Sequence, residues 1–442
     1  MHRVLSFQMA RGFGESTEFV TKRMCFSFIF FIGFLALLGG FLLGRFSTER
    51  TIKLREERKL LQLAGNGLEN TGQLQFLLLE ELQKSAYNKF RPTQLTEPTL
   101  RTDANEDHED IRTTLSNLNL FHTVVQGMSG VVATLRGSRE SDRWIMLSVS
   151  GDGVRPAIEL AKVIAKLRKE LNWVPRRTII FCFFHEFEDT CRTSIPKYLR
   201  SKIMAYLAVH GSALQGNGCL AVSGSDVIKS VVLQAVAIVR DSISKENFDK
   251  LSLFESCKNG ESLVLLPRLL TDIPHTSFAF LTVRNSTSLE LNSDQQMQAR
   301  NRIIAQIIGL SIWRLADSVV LHWDPKDLEQ ELKTALKNFT PLELNDIKER
   351  IFSAIDKLIA SMHNLTETTN KGAELSTLSG RMKNDQIMDL DRTLLCQNND
   401  LRSKTDLALI PTILNEPLNK IAIFLGEMFQ CYDNAAKVLQ QG

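Results

Sequence analysis

The sequence predicts an α/β domain with a mostly parallel sheet flanked by helices, followed by an all-α segment and preceded by one transmembrane helix. Three observations carry this. An uncharged apolar run stands near the N-terminus, at 24–44. Short β-branched and aromatic runs alternate with an amphipathic stretch between 131 and 239. After about residue 330 the apolar spacing turns wholly helical. The composition, 43% hydrophobic and 23% charged over 442 residues, is that of a globular chain. The net charge of +3 supplies no basic field for nucleic acid.

Met24 to Gly44 reads MCFSFIFFIGFLALLGGFLLG, bounded by Lys22 and Arg23 before it and Arg45 after it. At about 1.5 Å per residue such a helix covers roughly 31 Å, the thickness of the hydrocarbon core. A cleaved signal peptide is the rival reading, but the run exceeds the roughly 7 to 15 residues of a signal-peptide core, and no small-x-small cleavage site follows. Arg3, Arg11, Lys22 and Arg23 precede the run and Arg45, Arg50, Lys53 and Arg55 follow it, so the positive-inside rule barely discriminates. Asn285-Ser286-Thr287, Asn338-Phe339-Thr340 and Asn364-Leu365-Thr366 are acceptor triplets for N-glycosylation, and all follow the run. They favour a cytosolic tail at 1–23, the anchor at 24–44, and the remainder in the lumen or outside the cell: a single-pass type II protein.

Residues 45–64 are charged and read as a helical stalk, and Leu74 to Leu82 as a short helix. Asn88 to Asp110, with Pro92, Pro98 and the acidic run DANEDHED, reads as a loop; 45–124 is thus stalk and linker. Val131–Leu135 and Trp144–Val149 are short apolar runs. Ile158, Ala161, Ile164, Leu167 and Leu171 form a helical stripe. Thr178–Phe184 is a buried strand by its β-branched and aromatic content, Met204–His210 another, and Asp226–Val239 a helix. This order implies right-handed crossovers and an active-site position at the carboxyl ends of the strands. Those ends are Ser150–Gly153, His185–Thr190 and His210–Ser212. Further on, Thr340-Pro341-Leu342-Glu343 is a capping box. Leu344, Ile347, Ile351, Ile355, Leu358 and Met362 follow at helical spacing, and Leu418 to Leu439 is a second amphipathic helix. The seven cysteines, Cys25, Cys182, Cys191, Cys219, Cys257, Cys396 and Cys431, contain no CxxC pair; they leave room for one or two bridges of unreadable connectivity.

TLRG at 134–137, DRWIMLS at 142–148 and WVPRRTIIF at 173–181 resemble the glutamate carboxypeptidase II (folate hydrolase, N-acetylated-alpha-linked acidic dipeptidase) and transferrin receptor family. MKNDQIMDLDRTLL at 382–395 looks like the signature of that family's dimerisation domain. The resemblance implies a zinc-peptidase-like α/β domain at 125–325, a helical dimerisation domain at 326–442, and a type II membrane homodimer. The chain departs from the family in its short length, in lacking room for an apical domain before TLRG, and in the short stretch 255–300.

Active members of this family hold two zinc ions about 3.5 Å apart through histidine and carboxylate ligands, with a glutamate as general base. Carried over onto this chain, the first histidine ligand becomes Ser150, followed by the retained Asp152. Gly153-Val154-Arg155-Pro156 runs on without the bridging aspartate. The base position is Phe187, which cannot move a proton, and the adjoining ligand is Glu188. The next ligand position is His210, and the last falls at Asn285. The resemblance therefore implies a protein without a catalytic site or bound cofactor, acting through binding or scaffolding. The alternative is a residual zinc carboxypeptidase or dipeptidase. In that reading Glu188 and His210, with His185 and Asp152 nearby, hold one zinc ion through nitrogen and oxygen ligands.

Overall fold

The computed structural model describes residues 26–42, 44–45, 73–85, 103–126, 130–171, 173–184, 191, 195–216, 219–244, 273–280, 293–321, 323, 325, 328–330, 345–371, 377–395 and 418–440. The chain divides into two compact units, Met1–Leu61 and Gln62–Gly442.

In the first unit residues 26–42 are helical, and their large apolar side chains are exposed, Phe26 and Phe30 by 79% and 78%. Among the described residues no helix is long and apolar enough to cross a membrane. Residues 44–45 are helical as well, and Met24, Cys25 and Leu43 of the expected span over 24–44 lie outside the described residues.

The second unit is built on a seven-stranded mixed sheet flanked by helices. The strands are β1 (Thr123–Gln126), β2 (Gly130–Leu135), β3 (Glu140–Val149), β4 (Arg177–Phe184), β5 (Ile203–Val209), β6 (Leu220–Gly224) and β7 (His275–Phe280), in the spatial order β1-β2-β4-β3-β5-β7-β6. The four central strands β4, β3, β5 and β7 run parallel, as the alternation of strand and helix predicts. Both edges are antiparallel: β1 and β2 form a hairpin against β4, and β6 turns back on β7. The edge strands β1 and β6 carry too few residues to stand out as periodic runs.

The helices are α1 (Gln73–Lys84), α2 (Asp103–Asn117), α3 (Val154–Leu171), α4 (Asp226–Ser244), α5 (Ser293–Asp317), α6 (Asn345–Lys371), α7 (Thr377–Leu394) and α8 (Leu418–Gln440). The acidic stretch read as a loop is largely helix α2. Carboxylates in a first helical turn favour the helix, and Ile111 and Leu115, one turn apart, are buried. Helix α1 also belongs to the core. Its Leu78 and Leu82 lie close to Gly309 of α5, where a side chain would collide with Leu82 and with Leu160 of α3. Segments counted as stalk and linker thus pack on the α/β unit.

The period of two along the strands sorts the core. Ile145, Leu147, Val149, Ile179, Phe181, Phe183, Ala205, Leu207 and Val209 point into a large cluster shared with α1–α8. Met146, Ile180, Cys182, Phe184, Tyr206 and Ala208 point to the other face, where Cys191, Ile195 and Ile273 complete a smaller cluster. Cys182 and Cys191 form a disulfide with a Cα–Cα distance of 6.2 Å. Cys219 and Cys431 each belong to a disulfide as well.

Helix α7, which carries the 382–395 stretch, crosses the amino ends of the parallel strands. Arg381 pairs with Asp142 and Asp385 with Arg143 at the start of β3. Arg392 donates to the Ser201 and Ile203 carbonyls at the start of β5. Buried Asn384 accepts from the Leu321 amide and donates to the Val319 carbonyl. Fully buried Asp391 accepts from Ser225 Oγ and from the Val227 amide in the first turn of α4. The helical region is thereby fixed on the side of the sheet opposite the expected site. The capping box at 340–343 lies outside the described residues.

Candidate functional site

The carboxyl ends of β3 and β5 are joined by an interlock of two glycine turns. Beyond β3 the chain turns through Gly151 (φ 54°), and beyond β5 through Gly211 (φ 57°), left-handed conformations that favour glycine. A Cβ on Gly151 would lie 2.5 Å from the Gly211 carbonyl oxygen, so both turns need glycine to come this close. The Ser150 amide donates to the Val209 carbonyl (3.1 Å) and the Asp152 amide to the Gly211 carbonyl (2.9 Å).

The side chains complete the interlock. Ser150 is buried, and its hydroxyl accepts the Gly211 amide at 3.0 Å. His210 Nε2 stands 3.2 Å from the hydroxyl of buried Ser148, and its ring meets Phe184 edge-on at 4.9 Å. Asp152 Oδ1 accepts from Gln215 Nε2 at 3.5 Å, and Oδ2 is buried without a hydrogen-bond partner. Burial raises the Asp152 pKa, opposed by the bonds from Gln215 and the Leu214 amide. One layer further, the Phe280 amide donates to the Ala213 carbonyl, and Arg300 reaches the Leu214 carbonyl across the Phe280 ring.

Of the sequence-predicted positions, Ser150, Asp152 and His210 are brought together here. Asn364 is exposed on α6. His185, Phe187, Glu188, Asn285 and Asn338 lie outside the described residues. Around Asp152, Gly151–Gly153 make one 3₁₀ turn that leads straight into α3. The sequence reading missed Ser148 and the pairing of Cys182 with Cys191. The alternation of β3 gave a usable signal for Ser148, since it places a hydroxyl on the same face as His210.

Among the described residues, Ser150, Asp152 and His210 do not by themselves fit a two-zinc centre. The hydroxyl at the first ligand position is committed to a backbone amide, and His210 Nε2 stands within hydrogen-bond distance of Ser148 Oγ. Among the described residues no group of three or more His, Cys, Asp or Glu side chains is placed to hold a metal ion. No reaction step through zinc follows from this geometry.

No family model matches the chain. Curated relatives do. The chain is 26% identical over 321 residues to the probable glutamate carboxypeptidase LAMP1 of Arabidopsis thaliana, covering 63% of this chain and 45% of that protein. It is 24% identical over 326 residues to the aminopeptidase NAALADL1 of Mus musculus, covering 60% of this chain and 43% of that protein. Over about three fifths of its length the chain is thus similar to curated peptidases. It spans less than half the length of those relatives. Among solved structures, the zinc aminopeptidase BSAP from Bacillus subtilis superposes with a TM-score of 0.31 at 11% identity, over 42% of this chain and 50% of that one. An aminopeptidase from Aneurinibacillus sp. strain AM-1 gives 0.30 at 16% identity, over 44% and 50%.

Proposed function

We propose that this peptidase homologue works by binding another protein, not by hydrolysis. The observation that carries the reading is the bond from the Gly211 amide to Ser150 Oγ. It turns the position of a metal ligand into a tie between two strand ends. A serine hydroxyl is a poor zinc ligand, and this one is also buried and spent. The phenylalanine at the base position, Phe187, adds to it: loss of a general base alone costs roughly 10² to 10⁴ in rate.

We further propose a homodimer formed through the helices at 326–442, on a single-pass type II anchor at 24–44, with the C-terminal part in the secretory lumen or outside the cell. The exposed apolar side chains of 26–42 support the anchor. The disulfides support an oxidising compartment. The exposed position of Asn364 agrees with glycosylation there.

The test is metal content together with turnover. The full chain in detergent is expected to carry well under one zinc ion per chain and to leave acidic dipeptides intact. One tightly held zinc ion per chain, with hydrolysis lost in Glu188→Gln, establishes the residual-peptidase alternative instead. Sedimentation that gives a monomer at micromolar concentration removes the dimer.

A further inference from the structure

Away from the vestigial site, the joint between α7 and α4 holds a carboxylic acid in an unusual setting. Asp391 is fully buried, and its bonded partners are all neutral donors. Ser225 Oγ lies 2.6 Å from Oδ2, and the Val227 amide donates to Oδ1 at 2.9 Å. Among the described residues the cation beside it is Arg392, whose guanidinium donates to Asp389 and to the Ser201 and Ile203 carbonyls. The other titratable groups around the joint are Asp226 on α4, His275 at the start of β7, with Nδ1 on the Ile273 carbonyl, and buried Tyr432 on α8.

Ser225 is the hinge of the arrangement. Its Oγ accepts the His275 amide at 3.0 Å, and it has two acceptors for its own proton: Asp391 Oδ2, and the His275 carbonyl at 3.3 Å. Both protonation states of Asp391 are therefore fully bonded. When Asp391 is ionised, the Ser225 hydroxyl donates to it. When Asp391 is protonated on Oδ2, the acid donates into the second lone pair of Ser225 Oγ, and the serine proton turns to the His275 carbonyl. No backbone movement is needed, and one proton is taken from solvent.

We propose that Asp391 and Ser225 form a proton-operated latch, which holds the helical region on the α/β sheet more tightly in a mildly acidic compartment than at neutral pH. Burial pushes the Asp391 carboxyl up to about 6, against the lowering effect of its hydrogen bonds. The native state therefore binds the proton more strongly than the unfolded chain. The stabilisation is complete below the unfolded value near 4 and is lost as pH rises through about 6. Between pH 7.5 and pH 5 the folding equilibrium constant should rise by about tenfold on account of this group.

The experiment is urea unfolding of the full chain at both pH values, for the native protein and Asp391→Asn. The native protein is expected to show about tenfold more gain on acidification than the variant. Equal gains overturn the latch. Asp317 titrates in the same window, and its contribution cancels in the comparison. Should Asp391→Asn fail to fold, infrared spectroscopy of the native protein decides. A protonated buried carboxyl band should appear between pH 7.5 and 5, and in Ser225→Ala it should appear at higher pH, because the ionised form has lost a donor. Absence of the band, or an unmoved midpoint, overturns the proposal.

Discussion

Ser150 Oγ accepts the Gly211 amide at 3.0 Å and so joins the carboxyl ends of β3 and β5. A histidine at this position removes the hydroxyl that accepts that bond. Ser150→His is expected to cost about 1 to 3 kcal/mol, the penalty for leaving a buried amide unsatisfied. It should not create a zinc site. Urea unfolding and calorimetric zinc titration check the two halves. Micromolar zinc binding with unchanged stability would contradict the expectation.

The contacts of α7 should differ in weight. Asn384 is buried and serves two backbone groups, so Asn384→Ala is expected to cost about 1 to 3 kcal/mol. The Arg381–Asp142 pair is partly exposed, and Arg381→Ala should cost about 1 kcal/mol or less. Denaturant midpoints of the two variants give the comparison; equal losses would mean that α7 is not seated as described.

The disulfide between Cys182 and Cys191 closes a loop that contains, in sequence, His185, Phe187 and Glu188. Replacing both cysteines by alanine is expected to lower stability by roughly 2 to 3 kcal/mol, the chain-entropy estimate for so short a loop. Thermal unfolding with and without zinc checks it. Rescue of the variant by zinc would show that the loop still holds a metal ion.

Much of this architecture was legible. The runs at 178–184 and 204–210 are apolar on both faces because central parallel strands are covered on both sides, and the stripes at 347–362 and 418–439 mark helices α6 and α8. The acidic stretch at 103–110 misled, since charge masks a helix that, among the described side chains, buries the apolar Ile111 and Leu115 beyond that stretch. At the site, the serine at 150 could be read where the family resemblance implies a histidine ligand. That Ser150 closes on Gly211 was not, because the partner stands on another strand and its glycine conformation has no periodicity. The intramolecular role of 382–395 was hidden for the same reason. Asp385, Asp391 and Arg392 look like a solvated helical face until the sheet ends are set against them.

Asp317 supplies a pH prediction of its own. Burial pushes its carboxyl up to about 6, although Trp173 Nε1 donates to it at 3.2 Å and Arg177 and Arg176 lie close. A raised carboxyl favours the native state at low pH, and that advantage fades as pH rises through about 6. Asp317→Asn is therefore expected to remove about 1 to 2 kcal/mol of pH-dependent stability between pH 5 and 7.5. Trp173 fluorescence in the native protein should titrate with a midpoint near 6. A flat fluorescence profile would place the carboxyl outside this window.

The most direct test of the central claim is the zinc content of the full chain, purified without chelators and measured by elemental mass spectrometry against protein concentration. An empty, interlocked strand-end site predicts well under one zinc ion per chain, unchanged in Glu188→Gln. One or two zinc ions per chain, lost in that variant, would contradict it.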